Sequence, residues 1–142
     1  MLFYHGVLGF DDMGSSRTFR MGMVSAGRYH HHIGLNTWAG KGASPPPPGH
    51  TGLYHFAFLY PNRQELSKAL KRLMEAHYPL QGTADHGVSE AIYLADPDGN
   101  GVELYADRPS EAWPRDAQGQ LKMGRRALDL NDLLAELERE VR

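Results

Sequence analysis

The stretch DHGVSEAIYLADPDGNGVELY, Asp85 to Tyr105, decides the fold of this chain. At its centre Asp-Pro-Asp-Gly-Asn makes a turn, because Pro97 presets φ and Gly99 tolerates a positive one. The flanks are apolar and spaced as strands, so the pattern predicts a hairpin of Ala91 to Ala95 with Gly101 to Ala106. Side chains alternate along a strand, which puts Glu103 and Tyr105 on one face. Asp98, Gly99 and Asn100 are then needed for the turn and for nothing else.

Upstream, aromatic-rich Leu53 to Tyr60 reads as a strand that stops at Pro61. Asn62, followed three residues later by Glu65, resembles a capping box, and Leu66, Leu70, Leu73 and Met74 share a helical face that Pro79 brings to an end. This part of the chain is therefore strand, helix, then two or three strands. In the opening strand His55 falls with Ala57 and Leu59 on one face, and Tyr54, Phe56 and Phe58 on the other. An imidazole and a carboxylate on neighbouring strands, facing the same side, are two thirds of the 2-His-1-carboxylate site that holds non-haem Fe(II). Taken on spacing alone, His55 reads equally well as a core histidine and Glu103 as an exposed strand residue. An inward Glu103 needs a cation or a donor, because an unpartnered buried carboxylate is costly.

Between Gly40 and Gly52, Gly-Lys-Gly-Ala-Ser-Pro-Pro-Pro-Pro-Gly-His-Thr-Gly is a connector, stiff at its four prolines and flexible at its glycines. It lacks the spacing of a phosphate loop. Before it, Thr18 to Val24 and Tyr29 to Trp38 are expected to be two strands. Set beside the second half, this region reads as a degenerate repeat in which Leu2 to Leu8 corresponds to the end of the helix. The expectation is that the first repeat begins one strand and most of a helix late, and that the missing strand is where a third metal ligand belongs. Of His30, His31 and His32, a strand would point the first and last one way and the middle one the other, so at most two could chelate together. Rimming a cup and touching substrate suits His30 and His32 better than metal, and Asn36 on the same face could add a hydrogen bond. Trp38 and Trp113 are expected to anchor packing. After Asp107 a polar wrapping tail leads to an amphipathic helix outlined by Leu130, Leu133, Leu134, Leu137 and Val141.

Composition narrows the function. The chain has 142 residues, 41% hydrophobic and 23% charged, enough for one domain with a core. A formal net charge of -2 gives no reason to expect nucleic acid or an anionic membrane as partner. The absence of cysteine excludes disulfides, thiolate metal sites and a cysteine nucleophile. No apolar run reaches the ~20 residues of a membrane span, and the amino terminus does not read as a signal peptide, so a cytoplasmic address is the default.

The motifs FYHGVLGF, YHHHIGLNTW, HFAF and the Asp85 to Tyr105 stretch resemble the vicinal oxygen chelate superfamily of glyoxalases, bleomycin-resistance proteins and extradiol dioxygenases. The nearest likeness is to its catechol 2,3-dioxygenase-like branch, and it extends through the RPSEAWPRD tail. The resemblance implies an α+β fold of paired βαβββ modules forming a cupped mixed sheet, with the first module truncated at its amino terminus. Residues 1–39 would be that module, 40–52 the connector, 53–107 the second module and 108–142 the tail and terminal helix. It also implies metal ligands at His55 and Glu103, and candidate chemistry residues at His86 and Tyr93, which would orient substrate and manage protons beside bound oxygen. His5 falls in the helix segment of the family pattern and does not replace the missing histidine by alignment.

The expected activity is extradiol ring cleavage of a catechol-like aromatic by O2, with Fe(II) as the first choice of metal and Mn(II) as the second. A glyoxalase-like isomerase is disfavoured because Tyr29 to Trp38 contains no Glu or Asp. A bleomycin-resistance-like ligand-binding module without turnover is the third reading. A homodimer is expected, since an unpaired sheet edge readily pairs with another chain.

Overall fold

A computed structural model describes residues 1–139. The chain forms two compact units, one of residues 1–52 and one from Leu53 onward. The first opens with a π-helical segment, Leu2–Val7, closed by the Leu8 N–H donating to the Phe3 carbonyl at 3.0 Å. Phe3 and Tyr4 are buried in edge-to-face contact. Three antiparallel strands follow, β1 (Asp11–Ser16), β2 (Met21–Ser25) and β3 (Ile33–Asn36), in the order β1-β2-β3. β1, almost wholly exposed and polar, has no apolar alternation that sequence could show. The two strands expected here are shorter than the sequence suggests: β2 starts at Met21 and β3 at Ile33, so His30 to His32 precede the strand. Trp38 is 61% exposed rather than a packing anchor, its Nε1–H donating to the Phe19 carbonyl.

The second unit supplies strand β4 (His55–Tyr60), helix α1 (Arg63–Glu75), then β5 (Gly82–Asp85), β6 (Ser89–Ala95) and β7 (Gly101–Asp107). Its sheet order is β4-β7-β6-β5, with β4 parallel to β7 and the other pairs antiparallel. This β-α-β-β-β succession is the mixed α+β architecture expected. Ile92, Leu94, Val102 and Leu104 are fully buried on one side of the sheet, together with Leu66, Ala69, Leu70 and Leu73 of α1. Burial of such a side chain stabilises by roughly 1.5–3 kcal/mol, which makes this layer the principal core. Met74, expected on the same face, is 52% exposed, and Ala69 takes its place.

Both helix ends differ instructively from expectation. Asn62 Oδ1 accepts the Glu65 N–H at 2.9 Å, but the Glu65 carboxylate turns to Lys68, so only half of the capping box forms. Helix α1 stops before Pro79 is reached. His77 has φ +50°, the Tyr78 N–H donates to the Leu73 carbonyl and the His77 N–H to that of Met74, a Schellman end with histidine where glycine is usual. In the hairpin turn Asp96 does most of the work, its carboxylate accepting the N–H groups of Asp98 and Asn100 and the Asn100 side-chain amide. Beyond β7, a 3-10 turn (Ser110–Ala112) and an irregular tail lead to α2 (Leu130–Arg139), which packs on α1 through buried Leu133. Val141 lies outside the described residues. Among the described residues no helix is long and apolar enough to cross a membrane.

Candidate functional site

Glu103 sits in the middle of β7, opposite Ala57 of β4 on one side and Tyr93 of β6 on the other. His55, two residues before Ala57, projects from the same face, and its Nε2 lies 3.2 Å from Glu103 Oε2. The strands can approach so closely because residue 101 is glycine. A Cβ there would come 2.8 Å from that of His55 and collide with the Tyr54 carbonyl. Sequence reading overlooked Gly101; its signal was a second glycine directly after the turn, at the start of a strand.

Tyr93 extends the pair into a chain. Its hydroxyl donates to Glu103 Oε1 at 3.0 Å, giving the half-buried carboxylate the partner it requires. Burial first, and then the hydrogen bond to and negative charge of Glu103, push the Tyr93 phenol up to about 12, with Arg125 acting in the opposite direction. Tyr93 is therefore a proton donor at neutral pH. On its other side stands His86, whose Nε2 is 2.9 Å from the Tyr93 oxygen. His86 Nδ1 lies 2.9 Å from the Gly124 carbonyl, which only accepts, so Nδ1 carries a proton. In a neutral ring the Nε2 lone pair then competes with Glu103 for the single Tyr93 proton. A second proton on Nε2 would turn that contact into a donated bond and satisfy the whole row.

Two of these groups, His55 and Tyr93, line a cavity of about 370 Å³ together with Tyr54, Gln81 and Arg125 among others, within the size range of small-molecule sites. Arg125 and Gln81 escaped sequence reading because nothing in their local pattern marks them; strand pairing and the returning tail bring them there. As donors, one imidazole nitrogen and one carboxylate oxygen suit a divalent cation. Their 3.2 Å separation is close to the ~3 Å between adjacent ligands of a six-coordinate ion with bonds near 2.1 Å. Among the described residues no group of three or more His, Asp or Glu side chains is placed to hold a metal ion.

The other candidates lie in the first unit. His32 Nδ1 accepts the Ala26 N–H at 3.1 Å and is 2.9 Å from Ser25 Oγ. His30 and His31 do not diverge as strand neighbours would, since their Nδ1 atoms are 2.7 Å apart. Asn36 Oδ1 accepts the Trp38 N–H, and His5 Nδ1 is 2.6 Å from the Phe10 carbonyl.

A family model of the glyoxalase/bleomycin resistance protein/dioxygenase superfamily matches residues 1–104, and the chain belongs to that superfamily. It is 57% identical over 86 residues to a catechol-2,3-dioxygenase of Bacillus subtilis (strain 168), a match covering 61% of this chain and 30% of that protein. To biphenyl-2,3-diol 1,2-dioxygenase 3 of Rhodococcus globerulus it is 35% identical over 78 residues, 55% of this chain and 41% of the relative. The matched regions thus span less than half the length of these curated relatives. Among solved structures, a glyoxalase/dioxygenase from Nostoc punctiforme superposes with a TM-score of 0.61 at 21% identity, over 76% of this chain and 81% of that one. A lactoylglutathione lyase from Agrobacterium tumefaciens does so with a TM-score of 0.53 at 21% identity, over 74% and 81%. These two likenesses concern the fold.

Proposed function

We propose that the second unit carries the metal-binding and proton-handling part of an extradiol-type, ring-cleaving dioxygenase site. The observation that supports it best is the row His86, Tyr93, Glu103, His55, each side chain within 3.2 Å of the next, with Tyr93 and His55 lining the cavity. The likeness to a catechol-2,3-dioxygenase and a biphenyl-2,3-diol dioxygenase points to a vicinal aromatic diol as substrate and O2 as co-substrate. His55 and Glu103 would hold the cation, Fe(II) in first place and Mn(II) in second. When bound, it supplies a template for the two substrate oxygens and stabilises their negative charge.

The protein side of the chemistry is proton management. His86, protonated at Nδ1, offers the Nε2 lone pair as a base for a substrate hydroxyl and afterwards returns the proton. Tyr93 keeps its proton and donates it as a hydrogen bond, either to Glu103 or to an oxygen of the ligand. In the first unit His30, His32 and Asn36 are the proposed substrate contacts. His32 and Asn36 retain donors for this, as the bonds described above occupy Nδ1 and Oδ1. A homodimer is proposed as well, β4 being the outermost strand of its sheet, and a cytoplasmic location.

Calorimetric titration with Fe(II) under anaerobic conditions, followed by a ring-cleavage assay with catechols and O2, tests this reading. The His55→Ala, Glu103→Ala double variant should lose metal binding. His86→Ala should slow formation of the yellow ring-opened product by roughly 10²-fold. Undiminished metal binding or unchanged turnover would remove the respective residues from the site. Methylglyoxal–glutathione isomerisation without any ring cleavage would install the glyoxalase-like reading instead.

A further inference from the structure

The side of the sheet facing α1 holds a second polar arrangement, formed by Arg63, Glu90, Arg108, Asp85 and Arg126. Buried Glu90 takes Arg63 Nε on one oxygen at 2.6 Å and Arg108 Nη2 on the other at 2.8 Å. Asp85 Oδ2 takes Arg108 at 3.2 Å and Arg126 at 2.9 Å. Asp85 and Arg126 are also joined through the backbone, each N–H donating to the other's carbonyl at 2.9 Å. Asp85 ends β5, and the next residue is His86. The tail stays beside the next residue with its pairing displaced by one position: the Gly124 N–H donates to the His86 carbonyl at 3.1 Å and the Gly124 carbonyl meets His86 Nδ1.

We propose that the tail segment from Gly124 to Arg126 is the positioning element for His86. Paired with Asp85, it holds the Gly124 carbonyl against Nδ1 and so keeps the Nε2 lone pair turned toward Tyr93. A ring deprived of that acceptor can place its proton on Nε2 and donate to Tyr93, where it no longer serves as a base. The two parts of the clamp differ in weight. The Arg126 side chain is 74% exposed, and an ion pair in that setting contributes little, so the backbone pair carries most of the constraint. The inference rests on the reading of His86 as an acid–base residue.

The decisive variant is Arg126→Pro, which removes the N–H given to Asp85 as well as the charge. In full-length, metal-free protein labelled with ¹⁵N-histidine, the His86 ring is identified by its loss from the His86→Ala spectrum. The wild type should show the Nδ1–H tautomer and Arg126→Pro a mixture of tautomers. In the Fe(II)-loaded protein kcat for a catechol should fall on the order of 10-fold, a fraction of the roughly 10²-fold that a ~1 Å misplacement costs, while KM stays within about twofold. Arg126→Lys should restore both readouts. A wild-type tautomer and wild-type kcat in Arg126→Pro would overturn the proposal. If that variant does not fold, Gly124→Pro, which removes the N–H given to the His86 carbonyl at a position with open space around it, should give the same spectral change, and an unchanged spectrum counts against the clamp. Full activity in His86→Ala would instead refute the acid–base role, and the tautomer measurement still reports on the clamp by itself.

Discussion

The histidines of the first unit and those of the second make opposite use of the same side chain. His30, His31 and His32 are adjacent in sequence, and their rings bond to each other or to Ser25 and Ala26 across one turn. His55 and His86 are 31 residues apart in number, yet both join one row through Tyr93 and Glu103, because β4, β7 and β6 lie side by side. Adjacency along the chain thus produces local satisfaction, whereas convergence of groups around a cavity comes from strand register. A run of potential ligands is a weaker sign of a site than two isolated ones on neighbouring strands.

The contrast is broken most severely at the glycines of the two sheets. Gly101→Ala should destabilise the protein by about 1–3 kcal/mol, because the new methyl meets the Tyr54 carbonyl and the His55 Cβ. It should also weaken metal binding by displacing His55 from Glu103. Gly34→Ala, in β3 with open space around the added methyl, should change stability by less than ~0.5 kcal/mol. Urea denaturation of both variants and Fe(II) titration of the first check the pair; equal costs would mean that close approach of β4 and β7 is not what Gly101 serves.

Acid sharpens the comparison from the other side of the sheet. Burial alone would raise the Asp85 carboxyl, but the Gly87 N–H, Arg108 and Arg126 outweigh it and hold the group below its ordinary 3.8. A carboxyl depressed in the folded state contributes stability above its unfolded value and loses it as pH falls through the folded one. Melting temperature should therefore drop below about pH 4, and the drop should be shallower in Asp85→Asn, whose stability at neutral pH is already reduced. Parallel acid limbs for the two proteins would show that Asp85 adds nothing to the acid response.

The smallest effect belongs to the end of α1. His77 occupies a left-handed conformation that glycine adopts without steric cost, so His77→Gly should raise stability by about 0.5–1 kcal/mol in the same urea experiment. A loss of stability would mean that the imidazole makes a contact outweighing the backbone strain.

The parts of the fold legible in the sequence are those with strong local grammar. The turn at Asp96 to Asn100, the cap at Asn62 and the apolar spacing of Leu66, Leu70 and Leu73 each appear where their chemistry demands. β1 was illegible because it is a polar strand exposed on nearly every residue, defined by pairing with β2 alone. The end of α1 was misread because Pro79 is a more visible stop than a histidine at positive φ. Of the candidate site, His55, Glu103, His86 and Tyr93 could be nominated from motif and alternation. Gly101, Gln81, Arg125 and the clamp at Arg126 could not, since each acquires its place only through strand approach or the returning tail.

By itself the sequence determined the succession of strand, helix and hairpin in the second unit, the face on which His55 and Glu103 must project, and membership of a superfamily. Those are properties of periodicity, turn chemistry and motif, which reside in neighbouring residues. Tertiary structure alone decided that Tyr93 supplies the donor for Glu103, that the Gly124 carbonyl fixes the proton on His86, and that Asp85 holds the tail in register. Hydrogen bonds at 2.9–3.0 Å between residues 10 to 41 positions apart depend on strand register and chain return, which no local pattern encodes.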